Sequence, residues 1–229
     1  TSVAETGSTD TFTVVLNAQP ASNVVLSISS SDAGEATVTS ALTFTTANWN
    51  SAQTVTVTGA DDNLVDGTQT STLTISIVDA VTDDNFDGVA DQTVSATTTD
   101  NDVAGFTIAE SGGSTSVSES GTTDTFTIVL NAQPNSDVVL SITSSDTGEA
   151  TVTSALTFTA ANWNSAQTVT VTGANDNLID GTITSTITVA INDGSSDNNF
   201  DSVADQTVSV TTTDDDVAGF TIAQSGGST

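Results

Sequence analysis

The stretch TDTFTVVLNAQPASNVVLSIS at 9–29 decides the fold, because its apolar residues recur at every second position. Phe12, Val14 and Leu16 form one set; after the turn residues Asn17 to Asn23 come Val24, Leu26 and Ile28. A period of two puts each set on one face of an extended strand, whereas a helix would need apolar residues three and four apart. The opening of this stretch returns as TDTFTIVLNAQP at 123–134. With Thr115 laid on Thr1 the register continues without a gap, and roughly four aligned positions in five are identical. A repeat of this length is a whole domain, not a coil of a solenoid.

Working outward, further alternating runs supply Leu42 and Phe44, Val55 and Val57, Leu73, Ile75 and Ile77, and Val94 and Ala96. With an opening strand at Ser2 to Glu5 this predicts seven strands, A to G, per copy, and no helices. The fold expected is all-β: two tandem immunoglobulin-like antiparallel β-sandwiches in a linear array. The boundary segment AGFTIAESGGSTSVSE at 104–119 reads as two β pieces joined by a Ser/Gly kink, both belonging to strand A. On that reading the first sandwich spans residues 1–102 and lacks the front half of strand A, the second spans 103–216, and 217–229 are the first strand of a third repeat. That last segment is expected to fray or to pair with a neighbouring chain whose half-strand it supplies.

The 229 residues include no Lys, Arg or His against 29 Asp and Glu, so no side chain can neutralise a carboxylate. A net charge of −29 argues against nucleic acid and against anionic bilayers, both of which are bound through Lys and Arg. No apolar run approaches the ~18 residues that a membrane helix needs. With no Cys or His, zinc and copper lack their usual ligands. An all-oxygen donor set suits Ca²⁺, with Mg²⁺ as second choice.

Alternating strand direction sorts the acids between the two ends of a sandwich. Glu5 in the A–B turn, Asp32 in the C–D turn, Asp61, Asp62 and Asp66 in the E–F loop, and Asp100 and Asp102 after strand G converge at one end. Glu119, Asp146, Asp176, Asp180, Asp214, Asp215 and Asp216 repeat the set, with Asn175 in place of Asp61. At the other end, DDNFDGVAD at 83–91 places Asp83, Asn85, Asp87 and Asp91 at the first, third, fifth and ninth positions of an EF-hand-like loop, with Gly88 at the sixth. Val94 stands where the closing glutamate would be. Asp197, Asn199, Asp201 and Asp205 keep the spacing, while Ser202 replaces the glycine. Ion binding there competes with the plainer reading of a solvated acidic turn. In a head-to-tail array the first cluster of one domain would face the F–G loop of the next. Calcium held there, helped by Asp193, Asp197 and Asp201, is then expected to fix the angle between domains.

SVAE at 2–5, SSDAGEA at 30–36, VTGADDNLVDG at 57–67 and TTTDNDVAG at 97–105 resemble the Calx-β domain, and the match spans both copies. The resemblance implies clustered calcium ions at one end of a β-sandwich. The tandem form, with DNFDGVADQTV before the acidic close, is similar to extender repeats of giant bacterial RTX-type surface adhesins exported through type I secretion. It implies that calcium stiffens the junctions.

Catalysis is not expected, since without His, Cys, Lys, Arg or Tyr only carboxylates remain as acid–base groups. Trp49 and Trp163 are expected to plug the sandwich end rather than stack on a sugar. Thr54, Thr56 and Thr58 read as ordinary outward strand residues rather than an ice- or mineral-binding face. The function expected is a non-enzymatic, calcium-rigidified stalk of a large secreted protein at the bacterial cell surface, mediating cell adhesion. Its partners would be neighbouring repeats, or lateral or head-to-tail copies. The alternatives are a subunit of an extracellular filament or S-layer-like sheath and a calcium-regulatory Calx-β module.

Overall fold

A computed structural model describes residues 1–223, 225 and 226. The chain divides into two compact units, Thr1–Asp102 and Val103–Thr229. Unit 1 contains β1 (Ser2–Ala4), β2 (Thr9–Val14), β3 (Val24–Ser30), β4 (Ala36–Val38), β5 (Ala41–Phe44), β6 (Gln53–Gly59), β7 (Gln69–Ile77) and β8 (Gln92–Thr99). They form a five-stranded sheet of order β1-β8-β7-β3-β5 and a three-stranded sheet of order β2-β6-β4. Val24, Leu26 and Ile28 of β3 meet Phe44 of β5, Ile75 of β7 and Val55 of β6 in a core between the sheets, as the alternation predicts.

Two details depart from the expected sandwich. An eighth strand, β4, was not among the seven expected: it pairs with β6 in one sheet, while β5, which carries the expected Leu42 and Phe44, pairs with β3 in the other. The ladders are antiparallel except that β1 lies parallel to β8, with Ser2 opposite Thr97 and Ala4 opposite Thr99. The helical content among the described residues is confined to single 3₁₀ turns, such as Asp79–Val81 and Asn198–Phe200.

Unit 2 contains β9 (Phe106–Glu110), β10 (Thr115–Ser118), β11 (Thr123–Leu130), β12 (Val138–Ser144), β13 (Ala150–Val152), β14 (Ala155–Phe158), β15 (Gln167–Gly173), β16 (Ile183–Ile191) and β17 (Gln206–Thr213). The order β10-β17-β16-β12-β14 repeats the five-stranded sheet, with β10 again parallel to β17. The second sheet, β13-β15-β11-β9, has four strands because β9 adds antiparallel to β11. Between β9 and β10 the chain changes sheet at Gly112 (φ 72°) and Gly113 (φ 81°), left-handed conformations that favour glycine. The Ser/Gly kink therefore splits strand A between two layers.

Residues Val217 to Ala223 are in no strand, and Gln224, Gly227, Ser228 and Thr229 lie outside the described residues, so the expected first strand of a third repeat is only partly described. Trp49 and Trp163 are half-buried rather than buried plugs. The Trp49 carbonyl accepts the Leu16 N–H at 3.1 Å. Among the described residues no helix is long and apolar enough to cross a membrane.

Candidate metal centre

The acidic end of unit 1 is built where β1 stops, β3 turns into β4, β6 leads to β7, and β8 ends. Glu5 follows β1 and is almost wholly buried, with its backbone N–H on the Thr99 carbonyl at 3.1 Å. A side chain at Gly59 would strike the Ala4 carbonyl, so the bare backbone of β6 lets the end of β1 lie close and sets the position of Glu5. Glu35, just before β4, is anchored through its carbonyl by the Ala60 N–H at 2.8 Å and the Thr98 hydroxyl at 3.3 Å. Asp62 and Asp66 come from the β6–β7 loop and Asp102 from the exit of β8.

These side chains converge on two adjoining places. Glu5, Asp62 and Asp102 bring one oxygen each within 4.8 Å of one another, and so do Glu5, Glu35 and Asp66. In unit 2 the groups are Glu119 with Asp214 and Asp216, and Glu119 with Glu149 and Asp180. Glu5 and Glu119 are thus shared, each bridging two groups.

Other predicted residues shape the loops around these groups. Asp100 Oδ2 accepts the Asp66 and Gly67 N–H groups at 3.1 and 2.8 Å, and its Oδ1 accepts that of Asp102 at 2.6 Å. Asp32 Oδ1 accepts the Gly34 N–H, as Asp146 does for Gly148, both at 2.9 Å. Asp62 and Asp176 each accept an N–H two residues on, from Leu64 and Leu178. Asp61 and Asp215 each meet an asparagine amide, of Asn101 and Asn175, at 3.5 Å.

Electrostatically the site is under-compensated. Burial pushes Glu35 up to about 7, and Asp66, Glu5, Asp62 and Asp32 add repulsion. Burial likewise raises Asp66 and Asp102, each next to Asp100. Glu5 is raised by burial, partly offset by the Asn101 N–H. Glu119, Glu149 and Asp216 are raised for the same reasons, desolvation first and neighbouring carboxylates second. Asp214 is instead lowered, by the N–H groups of Gly181 and Asp216.

Buried carboxylate oxygens with no hydrogen-bond partner complete the picture. They are Glu35 Oε2, Asp66 Oδ1 and Asp102 Oδ2 in unit 1, and both oxygens of Glu119, Glu149 Oε2 and Asp216 Oδ2 in unit 2. Leaving such atoms unpaired is costly, and a cation is the group that pairs them all. Oxygens this close, all within 4.8 Å of one another, can reach a common calcium ion, whose ligands lie about 2.3–2.6 Å from it. The donors present fit a hard divalent cation.

The F–G loop is arranged differently. Asp83 is buried, and its Oδ2 accepts the Ala21 and Ser22 N–H groups at 2.5 and 3.0 Å. Its Oδ1 accepts the Asn85 N–H and Nδ2 at 3.1 and 2.7 Å. These bonds hold its carboxyl below the usual range. Asp197 repeats the tie to Asn135 and Ser136 at 2.6 and 2.9 Å and to the Asn199 N–H at 3.0 Å. Among the described residues, Asp83, Asp87 and Asp91 gather with no other acids into a close oxygen group, nor do Asp197, Asp201 and Asp205. The loop's first aspartate laces it to the β2–β3 or β11–β12 connection.

Glu35 and Glu149 went unnoticed among the sequence candidates, although both lie in the repeated Gly-Glu-Ala that enters β4 and β13. An acid kept in both copies beside a core alanine was the available signal.

No family model matches the chain, and no curated protein matches it. Among solved structures it is similar to domains 4 and 5 of the S-layer protein SbsC, at 20% identity and a TM-score of 0.38, over 82% of this chain and 70% of that one. It is similar to SbsC domains 1–6 at 20% identity and a TM-score of 0.39, spanning 20% of that longer chain. A third similarity is to CBD12 from CALX1.2, at 12% identity and a TM-score of 0.32, over 82% of this chain and 76% of that one.

Proposed function

We propose that the chain is a non-enzymatic structural segment of a cell-surface repeat protein, in which calcium bound at the acidic end of each sandwich stiffens the array that mediates adhesion. The observation that carries this reading is the set of buried, unpartnered carboxylate oxygens that recurs in both units of a chain without one Lys, Arg or His. Glu5 and Glu119, each shared by two oxygen groups, would bridge adjacent ions. Glu35 and Asp66, or Glu149 and Asp180, would complete one position of each pair. The ion supplies fixed positive charge that loops of like charge cannot supply for themselves. Tying four separate connections to a pair of adjacent ions removes their freedom, which is how bound cations become stiffness. The lack of His, Cys, Lys, Arg and Tyr supports a non-enzymatic role.

The test is a calcium titration read by melting temperature and small-angle scattering, reversed with chelator. At calcium about 100 times its dissociation constant, each site adds about 2.7 kcal/mol to folding. Glu5→Gln and Glu119→Gln together should abolish the response. Identical melting and superimposable scattering with calcium and with chelator would remove the reading.

A further inference from the structure

The two copies of the acidic end differ by an exchange. Across VTGADDNLVDG at 57–67 and TTTDNDVAG at 97–105 they differ at Val65, which is Ile179 in unit 2, and at Asp61 and Asn101, which are Asn175 and Asp215. In unit 1 the carboxylate stands on the β6–β7 connection and the amide after β8; in unit 2 the amide stands on the β15–β16 connection and the carboxylate after β17. The fold brings the two positions together in both units. Asn101 Nδ2 donates to Asp61 Oδ1 at 3.5 Å, and Asn175 Nδ2 to Asp215 Oδ1 at the same 3.5 Å. The residue types have changed places, while the donor, the acceptor and the charge are all kept.

Neither change alone would keep all three. Aspartate at both positions sets two carboxylates against each other with no donor between them. Asparagine at both replaces a charge-assisted bond with a weaker neutral one and takes a negative charge from the acidic end. The pair spans a gap that is already tied once: Asp100 Oδ2 accepts the Asp66 and Gly67 N–H groups, and Asp214 Oδ2 accepts those of Asp180 and Gly181 at 3.1 and 2.9 Å. The aspartates that gather with Glu5 or Glu119 in one oxygen group are its chain neighbours. Asp62 follows Asp61 and Asp102 follows Asn101, while Asp214 and Asp216 flank Asp215.

We propose that Asp61 with Asn101, and Asn175 with Asp215, are one clasp worn in opposite senses, which holds the two acidic connections of each unit together and so positions the neighbouring aspartates for the cation. Its members are positioning residues: they act through Asp62 and Asp102, or Asp214 and Asp216. That purpose rests on the calcium reading above, whereas the coupling between the two members does not. Both members are exposed and meet at the long end of hydrogen-bond range, so the coupling expected is modest.

Each unit holds one tryptophan, so the full chain carrying Trp163→Phe reports the unfolding of unit 1 alone through Trp49 fluorescence. In that background the unaltered pair is compared with Asp61→Asn, Asn101→Asp and the double exchange, which rebuilds the arrangement of unit 2. Urea unfolding is followed first in chelator. The factors by which the single changes raise the unfolding constant should multiply to about threefold or more, while the double returns to within about twofold of the unaltered pair. Single effects that cancel overturn the proposal, since the exchange would then conserve charge and nothing else. A double as weak as the singles combined overturns it too. The series is repeated in calcium, where the rise in the unit 1 midpoint reads how well the aspartates are positioned. The changes that the singles make to this rise should sum to a loss that the double regains. Coupling in chelator with none in the calcium-induced rise would make the pair a fold contact only and overturn its positioning role. No rise with the unaltered pair would instead remove the calcium reading, and the chelator series would still decide whether the clasp exists.

Discussion

Units 1 and 2 share nearly every strand, yet Phe126, Ile128 and Leu130 of β11 are buried where Phe12, Val14 and Leu16 are half-buried, and one five-residue strand, β9, covers β11 in the second unit. The difference teaches that alternation within strands sets which residues face inward but does not close the sandwich. Closure comes from the short piece ahead of the Gly112–Gly113 kink, which by chain order belongs to the junction. The acidic ends, in contrast, keep both oxygen groups in both units, with one exchange: Asp62 of unit 1 gives way to Asp214, the counterpart of Asp100, in unit 2.

The strongest way to break this contrast is Phe106→Ala. Removing a buried phenylalanine typically costs about 3–5 kcal/mol, so unit 2 should lose that much and melt more like unit 1. Calorimetry resolving the two transitions reads the outcome. An unchanged upper transition would mean that β9 contributes little to closure.

A smaller effect concerns the acidic ends, where Glu35→Gln is expected to separate the units. In metal-free protein the folded pKa of Glu35 is pushed to about 7 from an ordinary 4.5. Between those values the folded unit holds a proton that the unfolded chain has released, so stability falls as pH rises from 4.5 toward 7 and stays low above it. Glutamine should remove the Glu35 share of this slope, on the order of a few kcal/mol, while the raised Glu5, Asp66 and Asp102 keep theirs, and should weaken the calcium response of unit 1 while unit 2 keeps its own. Melting curves across that pH range in chelator decide it. A slope as steep in the variant as in the unaltered chain would mean that Glu35 does not titrate in this range.

The smallest expected change is at the opposite end. Asp83→Asn turns one carboxylate oxygen, which accepts two N–H groups, into a donor and should cost about 1.5–3 kcal/mol, with a loss of the same order for Asp197→Asn in unit 2. Calcium affinity, measured by calorimetric titration, should stay the same. A marked drop in affinity would instead make the loop an ion site.

Much of this was legible in the chain. Val24, Leu26, Ile28, Phe44, Val55 and Val57 follow the period of two and lie in the core. The convergence of Glu5, Asp62, Asp66 and Asp102 followed from strand parity. The division of 36–44 between sheets was not legible, because Thr39 and Ser40 carry no turn signal strong enough to mark a change of layer. The parallel placement of β1 beside β8 was hidden as well, since pairing partners distant in sequence leave no mark in local periodicity. Nor does spacing tell an ion-binding aspartate from one saturated by backbone N–H groups, as Asp83 is.

The parallel pairing of β1 with β8 bears on how unit 1 meets tension. Its two strands run the same way, so opposite pulls on the start of β1 and the end of β8 act along the ladder rather than across it. All the bonds of the ladder then share the load at once, a shear arrangement that resists tearing far better than a zipper opened one rung at a time.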